Sequence, residues 1–99
     1  GGFMQPQGHV QVLGHCIDEG HSPQEALDAP RFQWIKEGTV LVEPDMDPVT
    51  AAALRERGHD IVTCDDPGTF GRGQIIWRSE DGTLCGATEK RTDGCVAAF

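Results

Sequence analysis

Two short strings, Ser22-Pro23-Gln24-Glu25 and Asp47-Pro48, constrain what this chain can fold into more than any other feature. Each sets an oxygen-bearing side chain immediately before a proline. Serine and aspartate accept hydrogen bonds from the unpaired amides of a helix's first turn. Proline suits the first helical position because an N–H there would lack an intrahelical partner. Glu25, three residues after Ser22, can reach back and complete a capping box. A short helix is therefore predicted from Gln24 to about Asp28, ending before Pro30 because the residue ahead of a proline avoids the helical region. A second is predicted to start at Asp47-Pro48 and stop at Gly58, burying Val49, Ala52, Ala53 and Leu54.

Periodicity fills in the rest. Between Pro6 and Glu19, the apolar residues Val10, Leu13 and Ile17 recur at helical spacing, with Cys16 beside them and Gly20 as the C-terminal cap. These three are expected to form one narrow buried face. Gly8 and Gly14 each weaken such a helix by roughly 1 kcal/mol relative to alanine, which suggests close approach by another backbone. Arg31 to Ile35 reads as extended, with Phe32 and Trp34 on one side. Thr39 to Glu43 and His59 to Cys64 read as strands. Asp65 to Gly73 is expected to be a flexible connection. Strands at Gln74–Ser79 and Thr83–Thr88 should form a hairpin through Asp81-Gly82. The segment from Glu89 to Phe99 lacks periodicity, so ordering it requires docking against something.

The order is helix, helix, strand, helix, strand, strand, strand: a single α+β domain over residues 1–99, with helices packed on a mainly antiparallel sheet. Sixteen Asp and Glu against eight Lys and Arg leave a net charge of −8. Such a surface repels phosphate backbones and anionic headgroups, so nucleic-acid and membrane partners are not expected. Cys16, Cys64, Cys85 and Cys95 are too widely spaced for a zinc knuckle or a redox dithiol, and are expected to be free, mostly buried thiols.

Spacing also argues against metal, and no cofactor is expected. His9, His15, His21 and Cys16 crowd the first segment, yet ligands on a helix must share a face. His9 and Cys16, seven apart, do so; His15 points elsewhere, and His21 lies beyond the cap. The loop Gly68-Thr69-Phe70-Gly71-Arg72-Gly73 lacks the Lys-Ser/Thr ending and following helix of a phosphate cradle. Asp65-Asp66 and Glu80-Asp81 fall in turns and are expected to be solvated. No nucleophile, base and orienting acid form a local motif.

Four segments, however, resemble the γ-glutamyltranspeptidase family in family order. They are Gly1-Gly2-Phe3-Met4-Gln5-Pro6-Gln7-Gly8-His9, Pro23-Gln24-Glu25-Ala26-Leu27-Asp28-Ala29-Pro30-Arg31-Phe32, Gly71-Arg72-Gly73-Gln74, and the closing Arg91-Thr92-Asp93-Gly94 with an aromatic at Phe99. The resemblance implies the C-terminal part of the small subunit of an N-terminal nucleophile hydrolase, folded as part of a four-layer αββα sandwich. It further implies a self-cleaving precursor whose freed N-terminal threonine attacks a γ-glutamyl or related amide. That threonine and the residues gripping the glutamyl group would lie upstream, so the nucleophile is expected to be absent here and the chain inactive alone.

By the same resemblance, Gly1 and Gly2 match the paired glycines whose amides form the oxyanion hole. The implied partners are the upstream part of the small subunit and the large subunit. Cut from that sandwich, the chain should expose apolar surface and self-associate or be unstable. Three places depart from the family pattern: Leu13-Gly14-His15-Cys16, Glu89-Lys90-Arg91, and Phe99 where tyrosine is common. The rival expectation is a non-catalytic module that docks onto a larger chain.

Overall fold

The computed structural model describes residues 2–99. Its elements run α1 (Met4–Ile17), α2 (Pro23–Asp28), β1 (Phe32–Lys36), β2 (Thr39–Val42), α3 (Pro48–Glu56), β3 (Asp60–Thr63), a 3-10 turn (Pro67–Phe70), β4 (Gln74–Arg78) and β5 (Leu84–Thr88). Both cap-then-proline signals act as expected. The Ser22 hydroxyl accepts from the Glu25 N–H at 3.2 Å while the Glu25 carboxylate accepts from the Ser22 N–H at 2.8 Å. The Asp47 carboxylate accepts from the amides of Val49 and Thr50.

Two sheets result. One has the order β1-β2-β3, with β1 and β2 antiparallel and β2 and β3 parallel, α3 making the crossover. The other is the β4–β5 hairpin, in which Ile76 pairs with Gly86. The parallel pair is the one exception to the antiparallel expectation. It follows from α3, since parallel neighbours need a crossover rather than a tight turn. The β1–β2 turn, Glu37-Gly38, places both residues at positive φ, the conformation that a two-residue hairpin with the strands' own twist demands.

The core lies between the first sheet and α3, where Val40, Val42, Ala51 and Ile61 are buried with Met46 and Leu54 against them. A second buried group surrounds α2, which packs on α1, β4 and β5. It contains Ala26, Leu27, Phe70 and Ala87. Phe70 overturns the expectation of a flexible loop at 65–73. The segment coils into a 3-10 turn whose phenyl ring is wholly buried, with the Asp66 carboxylate capping the Gly68 amide.

The helical stripes differ from the sequence expectation in phase. Val10, Leu13 and Ile17 are exposed on α1, and Met4 is its buried anchor. On α3, Ala51 is buried and Leu54 half-buried, while Val49, Ala52 and Ala53 face outward. The reason on α1 is polar. Gln7 and Gln11 turn their carboxamides onto the free edge of β1. The Gln7 amide donates to the Trp34 carbonyl (3.1 Å) and its oxygen accepts from the Trp34 N–H (2.8 Å). Gln11 does the same to Phe32, at 2.9 and 3.0 Å.

Four residues along a helix rise about 6 Å and two along a strand about 6.6 Å, so the paired glutamines match the pitch of the edge and mimic a missing strand. Gln24 repeats the device on Thr88. An open edge is thereby closed, and α1 is held with its apolar stripe outward. The cysteines also differ from expectation: all are free, but Cys16 and Cys64 are only half-buried, and Cys85 and Cys95 are exposed. No helix among the described residues is long and apolar enough to cross a membrane.

Candidate active site

The N-terminal end of α1 carries the residues singled out from the sequence. Gly2 is exposed at φ +49°, and its carbonyl accepts from the Gln5 N–H at 3.1 Å. Nothing lies within 4 Å of where a Gly2 side chain would begin. Gly1 lies outside the described residues. Phe3, at the cap position of α1, makes no side-chain capping bond, and the first turn holds no acidic residue. The backbone amides at this end, which carry the positive pole of the helix, therefore face outward without side-chain neutralisation. Such an end can accept negative charge from another group.

Beside it, α1 and β4 border a groove of about 500 Å³ lined by Met4, Gly8, Val12, Leu27, Phe70 and Ile76 among others. His9 and Cys16 also border it, as their seven-residue spacing implies. His9 instead directs Nδ1 to the Gln5 carbonyl at 2.7 Å. The groove is mainly apolar, and the exposed Val10, Leu13 and Ile17 beside it leave one face of α1 without cover.

A polar cluster that the sequence reading missed anchors this half of the molecule. Glu89 and Arg31 are buried, with Arg31 Nη2 donating to Glu89 Oε2 at 2.8 Å. The Gly73 N–H donates to the same oxygen at 3.0 Å, while Arg91 donates to Oε1 at 2.7 Å. Arg91 also grips Glu43 through Nε at 2.6 Å and through Nη2, and reaches the carbonyls of Leu27 and Ala29. Arg31 further donates to the carbonyls of Leu27, Phe70 and Gly71.

Burial works to raise the Glu89 carboxyl. The Arg91 and Gly73 hydrogen bonds and the charges of Arg31 and Arg91 outweigh it and hold the group below the usual carboxylate range. For Arg91, burial opposes the charge, but Glu43 and Glu89 raise its pKa, so it remains a cation. This network docks the segment after β5 and supplies the support that its lack of periodicity called for. A signal was present: opposite charges stand two positions apart at Glu89 and Arg91, and a turn closed by the Thr92 N–H on the Glu89 carbonyl brings them together.

At the far end of α1, the chain brings together His15, Glu19 and His21, a set that sequence spacing alone had separated. One potential ligand atom from each lies within 4.8 Å of the others.

Comparison with known proteins extends this geometry. The family model of gamma-glutamyltranspeptidase matches residues 1–99. The acylase ACY 1 proenzyme of Pseudomonas sp. (strain SE83) is 37% identical over 90 residues, covering 91% of this chain and 16% of that protein. The oxamate amidohydrolase proenzyme of Klebsiella pneumoniae is 33% identical over 105 residues, covering 100% of this chain and 20% of that protein. The chain thus spans a fifth or less of the length of these relatives. Among solved structures, cephalosporin acylase from Bacillus halodurans superposes with a TM-score of 0.95 at 57% identity, over 98% of this chain and 18% of that one. The Bacillus anthracis transpeptidase CapD superposes at 0.81 with 22% identity, over 95% and 57%, a likeness of fold alone. The match over all 99 residues and the agreement in fold place this chain in the gamma-glutamyltranspeptidase family, with the α+β architecture of the N-terminal nucleophile hydrolases.

Proposed function

We propose that this chain is the C-terminal part of the small subunit of an amidohydrolase or acyltransferase. Its substrates would be γ-glutamyl or related amides, cleaved through a threonyl acyl-enzyme. The threonine is supplied from upstream in the same precursor, and the chain by itself is inactive. The exposed, side-chain-free position of Gly2 ahead of an uncapped helix carries the reading. When a hydroxyl attacks an amide carbon, the carbonyl oxygen becomes an oxyanion, and amides of Gly1 and Gly2 would donate to it. Without a Cβ they approach closely, and each preorganised donor contributes about 3–4 kcal/mol to the transition state. The positive end of α1 adds to the same field.

The rest of the small subunit and the large subunit are the partners in this reading. The outward stripe of Val10, Leu13 and Ile17 supports it, since apolar residues at helical spacing on a free face ask for cover. A non-catalytic docking module would want the same cover. The two readings separate on whether the precursor carries a threonine at a self-cleavage site.

The test compares Gly2→Pro with Gly2→Ala in the self-processed protein, with a γ-glutamyl anilide as substrate. Proline removes the N–H and should lower kcat on the order of 100- to 1,000-fold with little change in KM. Alanine keeps the N–H, reaches positive φ at a cost of about 1–2 kcal/mol where proline's ring cannot follow, and should retain most activity. Equal losses in both variants, or turnover by the 99-residue chain alone, would contradict the proposal.

A further inference from the structure

The last turn of α1 does not end in a simple cap. The N–H groups of Asp18 and Glu19 both donate to the Gly14 carbonyl, at 2.9 and 3.2 Å. Gly20 then takes φ +70°, a left-handed conformation that costs glycine little, and the chain reverses. The reversal is locked by a bond from the His21 N–H to the His15 carbonyl at 2.9 Å. Two histidines six positions apart are thus tied together through their own backbone. Glu19, one helical turn after His15, reaches in between them.

The side chains converge on one point. His15 Nδ1 lies 2.8 Å from Glu19 Oε2, and His21 Nε2 lies 3.7 Å from the same oxygen. The two imidazole rings stack with centroids 5.4 Å apart and planes 11° apart, so one ring must swing for both nitrogen lone pairs to meet on a single ion.

We propose that His15, Glu19 and His21 form a surface site for a borderline-soft divalent metal ion, Zn²⁺ above all, with the remaining position open to water. Two imidazole nitrogens and one carboxylate oxygen are a zinc donor set, and a hard cation such as Mg²⁺ or Ca²⁺ would want oxygens in place of the nitrogens. With metal–ligand bonds of about 2.0–2.1 Å, ligand atoms around a tetrahedral ion stand roughly 3.3 Å apart. The distances of 2.8 and 3.7 Å bracket that value and all three ligand atoms lie within 4.8 Å of one another, so rotation of the exposed His21 ring would seat the ion. The ion would clip the end of α1 to the segment leading into α2. It stands apart from Gly2, at the opposite end of the helix, and does not depend on the reading of that residue.

The test is calorimetric titration of ZnCl₂ into the purified protein with no segment removed, repeated with the His15→Ala, Glu19→Gln and His9→Ala variants. One equivalent should bind to wild type. It should weaken at least about 10-fold in the first two variants and remain unchanged in the third. Co²⁺ in place of Zn²⁺ should give visible d–d bands without intense thiolate charge transfer. The proposal fails if no equivalent binds, if binding survives a His15→Ala/His21→Ala double variant, or if thiolate charge transfer shows that cysteines hold the ion.

Discussion

Replacing Glu89 by glutamine changes few atoms, yet it should be among the most damaging single substitutions in the chain. Each Glu89 oxygen accepts two bonds: Oε2 from Arg31 and the Gly73 N–H, Oε1 from Arg91 and its backbone N–H. Glutamine keeps one oxygen and turns the other into a donor that faces donors. It also removes the negative charge opposite Arg31, whose side chain is only 4% exposed and whose other partners are neutral carbonyls. Breaking a buried pair by removing one partner costs about 3–5 kcal/mol, because a charge is left in the interior without compensation.

The expected outcome for Glu89→Gln is a loss in that range by urea denaturation. Amide exchange should accelerate at whichever of Gly73 and Arg91 comes to face the new carboxamide NH₂, because that N–H loses its acceptor. The acid dependence has a definite sign. The folded carboxyl titrates below its unfolded value near 4.5, so its contribution is complete above that pH and disappears as pH falls through the lower folded value. Wild type should therefore lose stability below about pH 4.5, and the variant should lose less over the same window. A cost below about 1 kcal/mol, with Gly73 and Arg91 both still protected, would refute the claim that this carboxylate holds the segment after β5 in place.

Three further outcomes follow from the packing. Gln7→Glu sets a carboxylate oxygen against the Trp34 carbonyl and should cost about 1–3 kcal/mol at neutral pH. The cost should shrink in acid as the new carboxyl becomes a donor, and a pH-independent difference in Tm between the two proteins would count against the edge-capping role of Gln7. A Cβ added at Gly73 would lie 2.8 Å from Leu27 Cδ2. Gly73→Ala should therefore cost about 1–3 kcal/mol and Leu27→Ala about 2–5 kcal/mol. The double variant should lose less than the sum, and strict additivity would show that the two do not meet. Leu13→Glu, on the outward stripe of α1, should leave Tm nearly unchanged and shift the isolated chain toward monomer in sedimentation velocity; unchanged association would show that this stripe is not the sticky surface.

What was legible from the amino-acid order is what local chemistry decides. Ser22 with Glu25 and Asp47 with Pro48 start their helices through contacts no more than three residues long, and the strands and the Asp81-Gly82 hairpin follow from periodicity and turn preference over similar spans. The candidate site was legible only through the resemblance of Gly1-Gly2 and the segments after it to a known family, since two glycines have no side chains from which a role can be read.

Tertiary structure decided the rest, because burial is a property of neighbours and not of a residue. Val10, Leu13 and Ile17 have the spacing of a buried face, but Gln7 and Gln11 found the open edge of β1, and that choice turned the stripe outward. Glu89 and Arg31 are 58 positions apart, and only the packing of α2 on the β4–β5 hairpin makes them a pair. His15, Glu19 and His21 meet because the chain doubles back at Gly20, a reversal that no count along a straight helix contains.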